Sequence, residues 1–170
     1  MGATAVLFLD LDGTVRHGRA ELGRFVNTPQ DVVVFPQAVA RMREWKASGG
    51  RIVTVTNQGG VALGFLAPDV CQAALLRTME LAEHLVDVSM MCPHHPSAAD
   101  PEVASCWCRK PSPGLIFDGL RELQALHPEE FYPSELAVFV GDRPEDEQCA
   151  QRAGIRFVSA DQWRTTVCRA

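Results

Sequence analysis

Cys92, His94, Cys106 and Cys108 fall around one loop of a 170-residue chain, and the last is followed directly by Arg109-Lys110. Thiols and an imidazole at this density are soft metal ligands, whereas an Arg-Lys pair suits an anion. Three further clusters each follow a short apolar run. They are Asp10-Leu11-Asp12-Gly13-Thr14, Thr56-Asn57-Gln58-Gly59-Gly60 and Gly141-Asp142-Arg143-Pro144-Glu145-Asp146. Carboxylates brought together repel unless a hard cation neutralises them, and oxygen-only ligands suit Mg²⁺. A hydroxyl and a lysine beside them complete a site for a phosphoryl group, whose transfer needs charge stabilisation and in-line positioning.

These residues meet only if the apolar runs before them lie side by side. The runs are Ala5–Leu9, Ile52–Val55, Val88–Met91, Leu136–Val140 and Ile155–Val158. Being short, continuous and rich in branched side chains, they read as buried parallel strands. Helical periods lie between them. One runs from Pro36, with Val39, Met42 and Trp45 inward, to Gly49-Gly50. Another starts at Pro68-Asp69 and carries Leu75, Met79, Ala82 and Val86, a third starts at Pro113 with Ile116, Leu120 and Leu123, and a fourth covers about Glu145 to Ala153 before Gly154. Proline at a start and glycine past an end are boundary signals. The alternation predicts an α/β fold, a doubly wound parallel sheet with helices on both faces. Ligands of such sheets bind beyond the carboxyl ends of the strands, where every cluster above falls.

The length predicts one domain over residues 1–170 with no second, capping domain. A net charge of −5 gives no basic face for nucleic acid, and no apolar run approaches the ~20 residues of a membrane span. The opening MGATAVLFLDLDG lacks a basic leader, and six cysteines without one favour metal or reduced thiols over disulfides. A cytoplasmic monomer acting on a small molecule is the expectation. Each cluster also has a plainer reading. Asp10-Leu11-Asp12-Gly13 can open a calcium loop closed by Glu21, but Val15 stands where such a loop needs glycine. Asp142 with Glu145 and Asp146 can merely cap a helix. Cys92-x-His94 and Cys106-x-Cys108 fit a closed Cys₃His zinc site or a set of reduced thiols, with His95 as a competing imidazole. Cys71, Cys149 and Cys168 read as core or tail thiols, and the methionines and tryptophans as packing.

Taken together, VLFLDLDGTV, IVTVTNQGG, CRKPSPG and VFVGDRPED resemble, in order, the four motifs of the haloacid dehalogenase superfamily of phosphohydrolases. The likeness spans about Ala5 to Phe157. TNQ-x-G, CPHHP and C-x-C-R-K-P narrow it to the capless branch that holds the heptose bisphosphate and histidinol-phosphate phosphatases. The resemblance implies a Rossmann-like fold and a Mg²⁺-dependent phosphomonoesterase. Asp10 would be the nucleophile, Asp12 the general acid and base, and Thr56 and Lys110 the holders of the phosphoryl oxygens. Mg²⁺ would be bound by Asp10, the main-chain carbonyl of Asp12, and Asp142. A structural zinc would sit on Cys92, His94, Cys106 and Cys108, in a loop of about residues 92–108, pinning Arg109 and Lys110 into the same site. Asn57, Gln58, Arg109 and Arg143, with the segment from Arg16 to Phe35, would line the substrate rim. Four features depart from these relatives: Leu11 stands for an arginine, Arg16 for a small polar residue, Gly59 for a serine, and the chain is short after its fifth strand. The long zinc loop favours a sugar bisphosphate over histidinol phosphate. The acidic charge disfavours a polynucleotide 3′-phosphatase, and intact Asp10 and Asp12 disfavour a non-catalytic zinc-bearing interaction module.

Overall fold

A computed structural model describes residues 2–19 and 25–166. The elements in chain order are β1 (Gly2–Ala3), β2 (Val6–Leu9), β3 (Arg16–His17), β4 (Val33–Val34), α1 (Pro36–Ala47), β5 (Arg51–Asn57), α2 (Pro68–Leu81), β6 (Val88–Cys92), α3 (Pro101–Ala104), α4 (Gly114–Leu126), β7 (Glu130–Phe131), β8 (Ala137–Gly141), α5 (Pro144–Ala153), β9 (Arg156–Ser159) and α6 (Ala160–Thr165). The central sheet has the order β6-β5-β2-β8-β9, every pair parallel. β1 pairs with β7, and β3 forms an antiparallel ribbon with β4.

The inner strands β2, β5 and β8 are buried on both sides, which is why they read as unbroken apolar runs, whereas the edge strands β6 and β9 are only partly covered. Val6 and Phe8 of β2 point to the face covered by Leu115, Ile116 and Leu123 of α4 and Cys149 and Ala150 of α5. Leu7 and Leu9 point the other way, onto Ala38 and Met42 of α1, Leu75 of α2 and Trp163 of α6. The five expected strands and four expected helices are all present, and no cap domain occurs among the described residues. α2 stops at Leu81, however. Ala82 caps it and Glu83 and His84 turn through positive φ (57° and 54°), so Val86 lies beyond the helix. Trp107 also departs from the packing expectation, being 61% exposed.

The two lysines serve opposite edges of the sheet. Lys46 pairs with Asp87, which also accepts hydrogen bonds from the amide of Ile52 and from Arg51, tying α1 to the strand starts. At the carboxyl edge α6 reaches back to the turn after β2. Arg164 Nη1 donates to the carbonyls of Gly13 (2.7 Å) and Thr14 (2.8 Å), and its guanidinium lies 4.2 Å from the Phe35 ring centroid. Arg164→Met should lose these bonds and lower stability by about 1.5–3 kcal/mol. The check is urea denaturation, where the midpoint should fall while the slope is unchanged.

Candidate active site and cysteine loop

The turn after β2 is built around Leu11 and Val15, both fully buried in the core. The amides of Thr14, Val15 and Arg16 all point at the Leu11 carbonyl, and the Asp10 amide donates to Val140 of β8. Gly13 sits at φ +96°, and a Cβ there would lie 2.2 Å from Asp142 Oδ2. Only glycine allows both the backbone angle and the approach of the Asp142 carboxylate to the turn.

Asp10, Asp142 and Asp146 offer carboxylate oxygens within 4.8 Å of one another. Lys110 lies against two of the three. Its Nζ donates to Asp10 Oδ1 at 2.5 Å and to the Val55 carbonyl at 3.0 Å, and stands 2.7 Å from Asp146 Oδ1. That last contact lacks hydrogen-bond alignment, so Asp146 Oδ1 is buried with a lone pair unclaimed. Burial pushes the Asp10 carboxyl up to about 7, with Asp146 adding to the rise and Lys110 opposing it. Burial works against the Lys110 ammonium, but Asp10 and Asp146 outweigh it and raise its pKa. Partial burial, then Asp146, raises Asp142 too. The cluster therefore holds more negative charge than one lysine balances, and its oxygen-only donors fit a hard divalent cation.

Asp12 faces the same cavity. Gln58 Nε2 donates to Asp12 Oδ2 (2.7 Å) and to Thr56 Oγ1 (2.9 Å), and Arg16 grips both oxygens of Asp12 from behind. Asn57 uses its amide on the main chain of Lys110, accepting from its N–H and donating to its carbonyl, both at 3.1 Å. The contact positions Lys110, and Asn57 also lines the cavity.

The cysteine loop is compact. Cys108 Sγ is 3.0 Å from Cys92 Sγ, 3.4 Å from Cys106 Sγ and 3.2 Å from His94 Nδ1, and Cys92 Sγ is 3.6 Å from both Cys106 Sγ and His94 Nδ1. Ligands about 2.0–2.3 Å from a tetrahedral Zn²⁺ stand roughly 3.3–3.8 Å apart; three of these separations fall in that range and the two shortest, both to Cys108, lie just below it, so the four donors suit that ion with a small outward shift of Cys108. His95 points elsewhere, its Nδ1 accepting from the Ser97 amide. The loop then delivers its next residues to the cavity. The Arg109 amide donates to Cys106 Sγ and its Nη1 to the His94 carbonyl at 2.8 Å.

These groups line a cavity of about 360 Å³ that also includes Arg143, Glu145 and His95. Its outer wall is apolar, formed by Phe25, Val26, Leu63, Phe65 and Leu66. Gly59 allows the polar wall to close in, since a Cβ there would be 2.7 Å from the His95 ring and 2.9 Å from Arg109 Nη1.

The family model for HAD-hydrolase-like proteins matches residues 107–161. A D-glycero-D-manno-heptose-1,7-bisphosphate 7-phosphatase from Chlorobaculum tepidum is 32% identical over 164 residues, covering 93% of this chain and 79% of that protein. The D-glycero-beta-D-manno-heptose-1,7-bisphosphate 7-phosphatase of Photorhabdus laumondii is 36% identical, covering 88% and 76%. The chain belongs to the haloacid dehalogenase-like phosphatases. Among solved structures, the D,D-heptose 1,7-bisphosphate phosphatase of B. bronchiseptica, complexed with magnesium and phosphate, superposes with a TM-score of 0.70 at 25% identity, covering 91% of this chain and 79% of that one. A putative HAD-like phosphatase from Mesorhizobium loti gives 0.75 at 28%, covering 91% and 71%.

In this phosphatase Asp10, Asp12, Thr56, Asn57, Gln58, Arg109, Lys110 and Arg143 line the cavity, Asp142 stands behind it in the carboxylate cluster with Asp10 and Asp146, and Cys92, His94, Cys106 and Cys108 form the cysteine cluster. Three contributors go beyond what the sequence pattern marks. The pattern presents Asp146 only as a helix cap, and it does accept from the Asp142 and Arg143 amides through Oδ2. Its burial at 1% exposure is the signal that the pattern lacks. Arg16 opens the segment expected at the substrate rim, but it is buried behind Asp12 and reaches Ala74, 58 positions away, while Arg164 reaches Gly13 across 151 positions; no local pattern announces these remote contacts. Cys71 and Cys149 are buried thiols as expected; Cys168, and the Glu21 that the calcium-loop alternative needs, lie outside the described residues.

Proposed function

We propose that the protein hydrolyses the phosphate ester of a small sugar, on the heptose bisphosphate pattern, through an aspartyl-phosphate at Asp10. The observation that carries this reading is the convergence of Asp10, Asp12, Thr56 and Lys110 on one cavity. Asp10 forms a bond to phosphorus while the bond to the sugar oxygen breaks, and Asp12 gives its proton to that oxygen. Water then attacks phosphorus, its proton passing to Asp12, and the bond to Asp10 breaks to release phosphate. A carboxylate nucleophile thus divides one difficult displacement into two. Thr56 and Lys110 hold the phosphoryl oxygens. Asp10, the Asp12 carbonyl, Asp142 and, in addition, Asp146 would hold Mg²⁺, which when bound offsets repulsion between the carboxylates and the phosphate.

Cys92, His94, Cys106 and Cys108 would hold Zn²⁺ with no position left for catalysis, and thiolate ligands suit a reducing cytoplasm. The metal would fix the loop that carries Arg109 and Lys110. A sugar suits the cavity because it is amphipathic: its C–H face can lie on the apolar wall while hydroxyl and phosphate groups meet Arg109, His95 and Arg143.

Asp10→Asn should abolish Mg²⁺-dependent hydrolysis of p-nitrophenyl phosphate while thermal unfolding stays cooperative. Appreciable turnover by this variant would rule out the covalent route. Metal analysis of the purified protein should find close to one zinc, and Cys106→Ser with Cys108→Ser should lose it together with activity. A zinc-free, fully active wild type would refute the site. In a substrate panel, a sugar bisphosphate should exceed its monophosphate and histidinol phosphate in kcat/KM. Arg109→Ala should erase that preference by about 1.5–3 kcal/mol, roughly 10- to 150-fold, whereas Lys110→Ala should slow all substrates alike. Equal loss on mono- and bisphosphates in Arg109→Ala would show that Arg109 does not read a second phosphate.

A further inference from the structure

Arg16 is the largest fully buried side chain among the described residues, at 1% exposure, and it belongs to no hydrophobic element that would bury it by default. A buried guanidinium is costly unless its donors are satisfied, and here they are. Nε donates to Asp12 Oδ1 at 2.8 Å and Nη2 to Asp12 Oδ2 at 3.2 Å. Nη1 donates away from the cavity, to Thr78 Oγ1 at 2.8 Å and the Ala74 carbonyl at 3.3 Å, both on α2. Thr78 is itself oriented by donating to Ala74. The Arg16 main chain is fixed as well, its amide donating to Leu11 and its carbonyl accepting from Gly13. The fork is thus held from behind by a helix and presents two donors to Asp12.

An ionised carboxylate has about four lone-pair directions, two on each oxygen. Gln58 Nε2 takes a second position on Oδ2 at 2.7 Å. Three of the four are then occupied, and the one left is on Oδ1. We infer that Arg16 is a positioning residue which, with Gln58, fixes the Asp12 side chain so that a single lone pair, on Oδ1, carries the proton exchanged with the leaving oxygen. Gln58 also holds Thr56, so the same clamp sets the distance between the acid and a phosphate-holding hydroxyl. A guanidinium fork does this where lysine or asparagine cannot, because its donors are coplanar and rigid and reach Asp12 and α2 at once.

The inference rests on the phosphatase reading above, and the test separates the two. Two esters are compared in the presence of Mg²⁺: p-nitrophenyl phosphate, whose leaving group needs little protonation, and the sugar phosphate that the wild type hydrolyses best. The quantity is kcat/KM, which covers steps up to loss of the leaving group. Arg16→Met should lose on the order of 10²-fold on the sugar phosphate, the low end of what general acid catalysis supplies. On the aryl ester its loss should be about tenfold smaller, and inhibition by inorganic phosphate should be unchanged. A purely structural role would depress both esters equally and weaken phosphate inhibition, which would overturn the inference, as would no loss on either. Thr78→Val, which removes the shorter of the two Nη1 bonds and leaves the fork on Asp12, guards against an Arg16→Met that does not fold. It should shift the ratio of the two esters in the same direction by a smaller factor, and an unchanged ratio there also overturns the inference. If the wild type hydrolyses neither ester with Mg²⁺, the phosphatase reading itself fails.

Discussion

Three carboxylates, Asp10, Asp142 and Asp146, are brought within 4.8 Å at one sheet edge, and the rest of the site is organised around that concentration of negative charge. Two of them are buried, where unpaired ions are expensive. Among the described residues Lys110 is the one ammonium in contact with them, and it is itself 4% exposed. Each partner makes the burial of the other tolerable, so neither can be placed loosely. This explains the care with which Lys110 is held: its main chain by Asn57, its ammonium by the Val55 carbonyl, and the residue two before it within the cysteine cluster. A structural metal there would act on chemistry at a distance by fixing the start of the Lys110 backbone.

The sheet transmits the same constraint. Asp10 follows β2, Asp142 follows β8, and the two strands are adjacent and parallel, with Leu9 opposite Val140. Parallel pairing brings their ends to the same edge without any long loop. Thr56 lies at the end of β5, on the other side of β2. Three neighbouring strands therefore supply Asp10, the Thr56 hydroxyl and the Asp142 carboxylate to one edge. The cysteine loop reaches in from farther away, and it carries a candidate metal cluster of its own.

The same geometry makes much of the site legible in the sequence. A buried parallel strand is an unbroken apolar run, and the residues after it must stand at the ligand-binding edge, so local pattern alone locates Asp10, Thr56 and Asp142. Burial and remote contacts are not legible. Asp146 presents the pattern of a helix cap whether or not its second oxygen faces a cation, because Oδ2 does the capping and Oδ1 is left over. Val86 continues the helical period of α2, yet the chain turns at Glu83 and His84, two non-glycine residues at positive φ that no turn signal marks. The position of Asn57 predicts its place at the cavity, but not its grip on the Lys110 main chain, because a place at a strand end says nothing about which way an amide points.

Arg16 stands where the family resemblance leads one to expect a small polar residue. A short side chain there could touch Asp12 but could not span to α2. The arginine does both, and its length makes Ala74 and Thr78 part of the support of Asp12 although neither lines the cavity. The helix that begins at Pro68 is reached from the segment that supplies Leu63, Phe65 and Leu66 to the apolar wall. The substrate wall and the anchor of Asp12 are therefore consecutive stretches of chain. With no cap domain among the described residues to close over the cavity, that continuity ties its apolar wall to the anchor of Asp12: a ligand resting on Phe65 or Leu66 would bear on the same stretch of chain that holds Asp12 through Arg16.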